Sequence, residues 1–263
     1  MDIAVSSLDS LSPDWRRYRR QIILSDWGIE TQKKLQRAKV LVAGAGGLGC
    51  PAALNLAVAG VGHIMVCDAD AVEISNLNRQ FLHTEQSLGT EKVHSAQSTL
   101  SSINSEVRVE PIRHKITDKN VGDIVGDAQI IIDCMDNFSA RRALNRCAIS
   151  KGIPLVHGAI WGMEGRVTFL HPPGTPCLTC IFPKAPAQHE VPALGAVSCV
   201  TGSLQAVEAI KYLANLGETL SGRLLILDCS TMRFQELQVR KNPQCPDCGQ
   251  LDRSESSKLK AQS

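Results

Sequence analysis

The sequence predicts an α/β fold: a mainly parallel sheet followed by an antiparallel C-terminal extension stapled by cysteines. Three observations predict it. Short apolar runs alternate with helix-like stretches up to about residue 160, the pattern of successive βαβ units. A glycine-rich turn joins the first of those runs directly to its helix. From about Gly165 the apolar runs follow one another as antiparallel strands do, and two Cys-x-x-Cys pairs flank them.

At 263 residues, with 43% hydrophobic and 21% charged residues, there is ample material for one large α/β domain or two small ones. A net charge of +2, with no basic run interleaved with aromatics, gives no reason to expect nucleic acid as a partner. No apolar stretch approaches the ~18 residues of a membrane span, and residues 1–7 lack the charged-then-apolar layout of an export signal. A cytoplasmic protein with no membrane partner is therefore expected. Its ten cysteines should be reduced rather than paired in disulfides. Cys67, Cys134 and Cys229 fall in apolar stretches and read as small core residues.

In chain order, a helix is expected over 14–38, with the basic run Arg16-Arg17-Tyr18-Arg19-Arg20 on a solvated face. Residues 40–43 read as a buried strand and 48–59, rich in Ala and Leu, as the helix after it. Between them Gly44, Gly46 and Gly49 have the spacing G-x-G-x-x-G, with Gly47 inside the turn. Such a turn lets the backbone approach a phosphate, and the helix N-terminus offers it unpaired N–H groups. A second strand at 64–67 ends in Asp68. That is roughly 20 residues on, where a carboxylate takes a ribose hydroxyl. The unit is Rossmann-like, although the same glycines also serve a tight βα turn without a ligand.

Asp68 opens the polar stretch Asp70 to Gln80, which holds Asn76 and Arg79 just past a parallel strand. In open α/β sheets that position lines the ligand crevice. A helix at 89–102 carries Lys92 in its first turn, against the sign the helix dipole favours, which suits an anionic partner; an ordinary surface lysine is the alternative. Strands follow at 107–112 and 128–134, the second ending in Asp133-Cys134-Met135-Asp136-Asn137. A helix is expected at 139–151, with Arg141-Arg142 on a solvated face, then a strand at 154–157. Antiparallel strands are expected at 166–170, 224–228 and 233–239, with a helix at 202–216 among them. The Pro- and Gly-dense stretch 171–201 shows no clear periodicity before Ala193, and a loop of that length is usually functional or mobile. The domain plan is a disordered lead-in over 1–13, a single domain over 14–249 and a polar, disordered tail over 250–263. Within the domain, 14–160 forms the nucleotide-binding half and 161–249 the second half.

Cys177-Leu178-Thr179-Cys180 and Cys245-Pro246-Asp247-Cys248 supply four thiolates, a closed tetrahedral Zn²⁺ site and hence a structural one. Their separation is far longer than in a zinc ribbon, but both pairs lie in proline-containing turns. Neither reads as a redox Cys-x-x-Cys that opens a helix after a strand. The ion would clamp the C-terminal strands to the long loop.

Together these segments resemble the MoeB/ThiF/HesA family of adenylyltransferases, relatives of the ubiquitin-activating enzymes. The resemblance spans roughly residues 15–248. It rests on Arg17-Tyr18-Arg19-Arg20-Gln21-Ile22, Gly44-Ala45-Gly46-Gly47-Leu48-Gly49, Asp68-Ala69-Asp70, Ser75-Asn76-Leu77-Asn78-Arg79-Gln80 and Lys92. Asp133-Cys134-Met135-Asp136-Asn137, Gly202-Ser203-Leu204-Gln205-Ala206-Val207-Glu208-Ala209 and both cysteine pairs complete it. It implies that ATP adenylylates the C-terminal glycine carboxylate of a ubiquitin-like sulfur carrier with a Gly-Gly tail, releasing pyrophosphate, in molybdopterin, thiamin or related biosynthesis. By the same resemblance the turn Gly44, Gly46, Gly47, Gly49 faces the nucleotide and Asp68 holds the ribose. Asn76, Arg79 and Lys92 bind phosphates, and Asp136 holds Mg²⁺. Arg20 reaches a neighbouring subunit's site, implying a homodimer, and Arg141 has a supporting role or is a surface arginine.

One departure stands out. Where family members that bond covalently to the carrier have a cysteine, this chain has about Gln188-His189-Glu190. Nearby Cys199 reads as a buried structural thiol. Adenylylation without an obligatory covalent step is expected, with an external sulfur donor. Two other functions compete: an NAD-dependent oxidoreductase, which leaves Asn76, Arg79, Lys92 and Asp136 without a task, and a non-catalytic scaffold for ubiquitin-like tails.

Overall fold

The computed structural model describes residues 13–185 and 191–251. The expected lead-in and tail fall almost wholly outside the described residues, as does the segment Gln188-His189-Glu190.

The apolar runs form the strands because both sides of each are covered. β1 (Lys39–Ala43), β2 (His63–Cys67) and β4 (Ile130–Asp133) are almost entirely buried. Val40, Val42, Ile64, Val66, Ile130 and Ile132 belong to one core cluster, while Leu41, Ala43, Met65, Cys67 and Ile131 belong to another on the opposite face. Continuous rather than alternating hydrophobicity is what a parallel strand between two helical layers requires. The first layer contains α3 (Gly49–Ala59), α4 (Lys92–Ile103) and α8 (Gly195–Ala214); the second contains α5 (Val121–Val125) and α6 (Phe138–Lys151).

The eight-stranded sheet has the order β3-β2-β1-β4-β5-β6-β7-β8, where β3 is Arg108–Ile112 and β5 is Leu155–Trp161. The first five strands in that order are parallel. β6 (Glu164–Leu170), β7 (Arg223–Asp228) and β8 (Arg233–Gln238) continue the sheet antiparallel. The α/β class with an antiparallel extension is thus as the sequence predicts. β1 pairs with both β2 and β4, so the strand order reverses there. A crevice opens at such a switch point, beyond the carboxyl ends of the strands.

Several elements depart from expectation. The helix expected over 14–38 is broken into a 3₁₀ turn (Pro13–Tyr18), α1 (Arg19–Ile22) and α2 (Gly28–Arg37). Gly28 has φ +66, a left-handed backbone that a continuous helix does not admit. α5 has no counterpart in the sequence reading, being a single short turn pinned by Asn120 and Thr117 side chains. β5 runs on to Trp161, because pairing with β6 through Trp161↔Glu164 extends it beyond its apolar stretch.

The largest difference is α8, which starts at Gly195 instead of 202. Its first turns, Gly195-Ala196-Val197-Ser198-Cys199-Val200-Thr201-Gly202, are rich in glycine and β-branched residues and weak in helix propensity. Packing selects them: a Cβ on Gly202 would stand 2.3 Å from the Leu48 carbonyl oxygen, so α8 crosses the start of α3 only through a glycine. Thr201 also bonds back to the Val197 carbonyl at 2.8 Å. Cys199 lies within this helix and is partly exposed, not buried, and Cys229 is likewise half-buried just after β7. Among the described residues no helix is long and apolar enough to cross a membrane.

Candidate active site

The glycine turn leaves β1 at the switch point. Gly44 has φ +102, and a Cβ there would lie 2.8 Å from the Cys134 carbonyl oxygen. At Gly49 a Cβ would lie 1.8 Å from the Gly44 carbonyl oxygen, so only glycine closes this turn. Gly46 and Gly47 are less crowded and partly exposed; the Gly47 position faces Ser198 and Arg79, and that of Gly46 faces Gln80.

Asp68 closes the turn from β2. Its Oδ2 accepts the Ala45 N–H at 2.8 Å, and its Oδ1 accepts the Asp70 N–H at 2.9 Å, which fixes the carboxylate at the edge of the crevice. Lys92 begins α4 and is 6% exposed. Its Nζ donates to Asp70 Oδ2 at 3.0 Å, so Lys92 is a buried, paired lysine and not an ordinary surface one. Asp70 itself is exposed. Asn76 is 8% exposed; its Oδ1 accepts the Glu73 N–H at 3.0 Å, while its Nδ2 reaches only the Ser75 hydroxyl, at 3.5 Å. Arg79 donates to the Ser75 carbonyl at 2.9 Å and to Asn78 Oδ1 at 2.8 Å.

Asp136 follows β4 and is exposed; Asn137 Nδ2 donates to its Oδ1 at 3.3 Å. The loop before it is gripped from beneath. Fully buried Asp133 accepts the Met135 N–H at 3.1 Å and pairs with His157 Nδ1 at 2.7 Å. Arg141 donates to the Met135 carbonyl through Nε at 2.9 Å and Nη2 at 2.5 Å, and stacks on Phe138 with 5.2 Å to the ring centre. Arg141 is therefore not on a solvated face; it is 8% exposed. Burial pulls the His157 pKa down, against the pull of the Asp133 carboxylate beside it.

The structure thus brings the glycines, Asp68, Arg79, Lys92 and Asp136 to one end of β1, β2 and β4. Arg20 is apart from them, exposed on α1, which packs against the neighbouring 3₁₀ turn and α2. Sequence reasoning missed three supports. His83, 4% exposed, bridges the Ala45 carbonyl and the Ser95 hydroxyl, both at 3.0 Å, and no spacing marks it. His157 is equally unmarked. Gln205, fully buried, donates to the Asp133 carbonyl at 2.8 Å and the Val156 carbonyl at 3.2 Å; it stood in a noted motif without a task.

The four cysteines of the two pairs converge, their sulfurs all within 4.8 Å of one another. Cys177–Cys180, Cys177–Cys245 and Cys180–Cys248 are separated by 3.9, 3.6 and 3.4 Å. Tetrahedral thiolates around Zn²⁺ at about 2.3 Å stand about 3.8 Å apart, so the donor set fits that ion. Burial pushes the Cys177 thiol up to about 12, so a cation is what would hold it as thiolate. The first pair opens a short helix, α7 (Leu178–Ile181), but after a turn and not after a strand, and convergence with the second pair fits a metal better than a redox couple.

Known proteins are similar to this chain in sequence and in fold. The sequence profile of the ThiF family covers residues 18–247. The SAMP-activating enzyme E1 of Haloferax volcanii is 44% identical over 250 residues, spanning 93% of this chain and 92% of the relative. The sulfur carrier protein adenylyltransferase of Thermus thermophilus is 42% identical over 244 residues, 89% of this chain and 90% of the relative. The adenylyltransferase and sulfurtransferase MOCS3 of Anopheles gambiae is 43% identical, over 89% of this chain but 55% of its own length. Among solved structures, E. coli MccB with ATP superposes with a TM-score of 0.83 at 23% identity, covering 92% of this chain and 75% of that one, a likeness of fold.

Proposed function

The chain belongs to the ThiF family, and we propose that it is an ATP-dependent adenylyltransferase that activates the C-terminal glycine of a ubiquitin-like sulfur carrier. The observation that carries this reading is the convergence of Lys92, Asp68 and the glycine turn where β1 and β4 part. An NAD-dependent oxidoreductase accounts for the glycine turn and Asp68 but assigns no task to Asn76, Arg79, Lys92 and Asp136, and a passive scaffold needs none of them. The relatives above are named as adenylyltransferases or activating enzymes.

In the reaction, an oxygen of the glycine carboxylate attacks the α-phosphorus of ATP. The bond from that phosphorus to the β-bridging oxygen breaks, and pyrophosphate leaves as the acyl-adenylate forms. Both reactants are anions, so this chain contributes alignment and charge. Asp68, held by two N–H bonds, takes the ribose hydroxyls. Lys92 stabilises phosphate charge. Its present partner, the Asp70 carboxylate, is 70% exposed, so solvent screens the pair and a triphosphate competes for the lysine readily. Arg79 and Asn76 line the phosphate path. Asp136, with one oxygen uncommitted, would hold Mg²⁺ against the leaving group, a hard ion suited to a carboxylate and phosphate oxygens. Arg20 is exposed on α1, which suits a homodimer in which it serves the other subunit's site. The adenylate passes to an external sulfur donor. Gln188-His189-Glu190, where a covalent cysteine would fall, lie outside the described residues.

ATP–pyrophosphate exchange dependent on a Gly-Gly-tailed carrier tests the reading. Exchange is expected with the native chain and a loss of at least about 100-fold with Asp136→Ala. Tight NAD binding without exchange would overturn it.

A further inference from the structure

Helix α6 joins the candidate catalytic loop to the cysteine cluster. At its N-terminus, Asn137 accepts the Ala140 N–H at 2.9 Å, and Arg141 grips the residue before Asp136. Two turns on, Asn145 is 2% exposed with both ends of its amide engaged. Its Oδ1 accepts the Leu178 N–H at 2.9 Å, and its Nδ2 donates to Asp247 Oδ2 at 3.0 Å. Leu178 lies inside the first cysteine turn and Asp247 inside the second. The same Asp247 oxygen accepts the Thr179 hydroxyl at 2.5 Å, tying turn to turn. One buried amide on α6 therefore touches both halves of the cluster, though neither half is near it in sequence.

We propose that Asn145 is a positioning residue that fastens both cysteine turns to α6, so that ion occupancy of the cluster stiffens the helix whose N-terminus presents Asp136. The physical reason is that each turn alone is a short loop. Outer-shell hydrogen bonds of this kind hold metal ligands in place and change metal retention by roughly 10–100-fold when lost. A helix moves as a body, so a displacement at Asn145 reaches Asn137 two turns away. The consequence for catalysis rests on the assignment of Asp136 to Mg²⁺; the mechanical link does not.

The test uses the full chain loaded with Zn²⁺, following metal release to a chromogenic chelator and amide exchange across 134–151 by mass spectrometry. Asn145→Asp sets a second carboxylate against Asp247 and should speed release by about 10-fold or more, with faster exchange in the first turns of α6. Asp247→Ala, at the partly exposed end of the bridge, should act likewise and guards against a misfolded Asn145 variant. The exchanged pair, Asn145→Asp with Asp247→Asn, restores a donor facing an acceptor and should return both readouts toward native values. Release at the native rate in both single variants, no rescue by the double, or faster release with α6 exchange unchanged would each overturn the proposal. A native chain inert in pyrophosphate exchange but showing these shifts would sink the adenylylation reading and leave this one standing.

Discussion

Lys92 and Asp70 show how much a single pair decides. The lysine is nearly sealed while its partner is mostly open to water, so the two should not respond alike to mutation. Lys92→Met should lower adenylylation by about 100–1000-fold, the range for loss of one preorganised charge at a reacting centre. Asp70→Asn should leave the rate within about 3-fold in the same exchange assay, because the exposed half of such a pair contributes little. Two buried histidines make a pH prediction. Burial lowers the pKa of both His83 and His157 below the ordinary 6.5. The unfolded chain then binds more protons than the folded one in the window under 6.5. Their contribution to stability is complete above that pH and is lost as pH falls toward their folded values. The urea midpoint should therefore drop between pH 7.5 and 5.5, and His157→Asn should flatten the drop.

At the scale of elements, the βα turn and α8 depend on missing side chains. Gly49→Ala forces a Cβ onto the Gly44 carbonyl oxygen, a backbone atom with no room to yield. ATP affinity measured by calorimetry should fall by at least about 10-fold, with a loss of stability of roughly 1–3 kcal/mol as in overpacked cores. A retained native affinity would mean that the turn opens easily and does not shape the site. Gly158 has the same character in β5, because a Cβ there would stand 2.3 Å from the amide carbon of Gln205. That contact seats α8 on the sheet beneath Asp133, so α8 bears on the site although none of its residues was a candidate.

Across the whole molecule, the sheet is continuous from the nucleotide side into the antiparallel extension, and the cysteine cluster joins two turns that are distant in sequence. Stripping metal with a chelator should lower the melting temperature and release the segment after β8 to proteolysis, and Zn²⁺ should restore both, since site formation and folding are linked. A melting curve unmoved by chelation would show the four thiols to be mere core. If Arg20 serves a second subunit, Arg20→Ala mixed with Asp136→Ala should regain exchange activity by complementation, up to about one quarter of native per protomer under random pairing, which a monomer cannot do.

The fold class, the glycine turn, the strand-end positions of Asp68 and Asp136, the polar loop from Asn76 to Arg79, Lys92 at the start of its helix and the two cysteine pairs can be read from the sequence. These are legible because their physics is local: a spacing of glycines, an apolar run between covered faces, a charge at a strand end. It did not determine that the first helix breaks at Gly28 or that α8 begins at Gly195. Those outcomes depend on a left-handed backbone and on the close crossing with Leu48, which propensity does not encode. Nor did it mark His83, His157, Gln205 or Asn145 as supports. Each is an ordinary residue until the fold buries it between partners far away in the chain, and buried polar groups must find partners wherever the fold puts them.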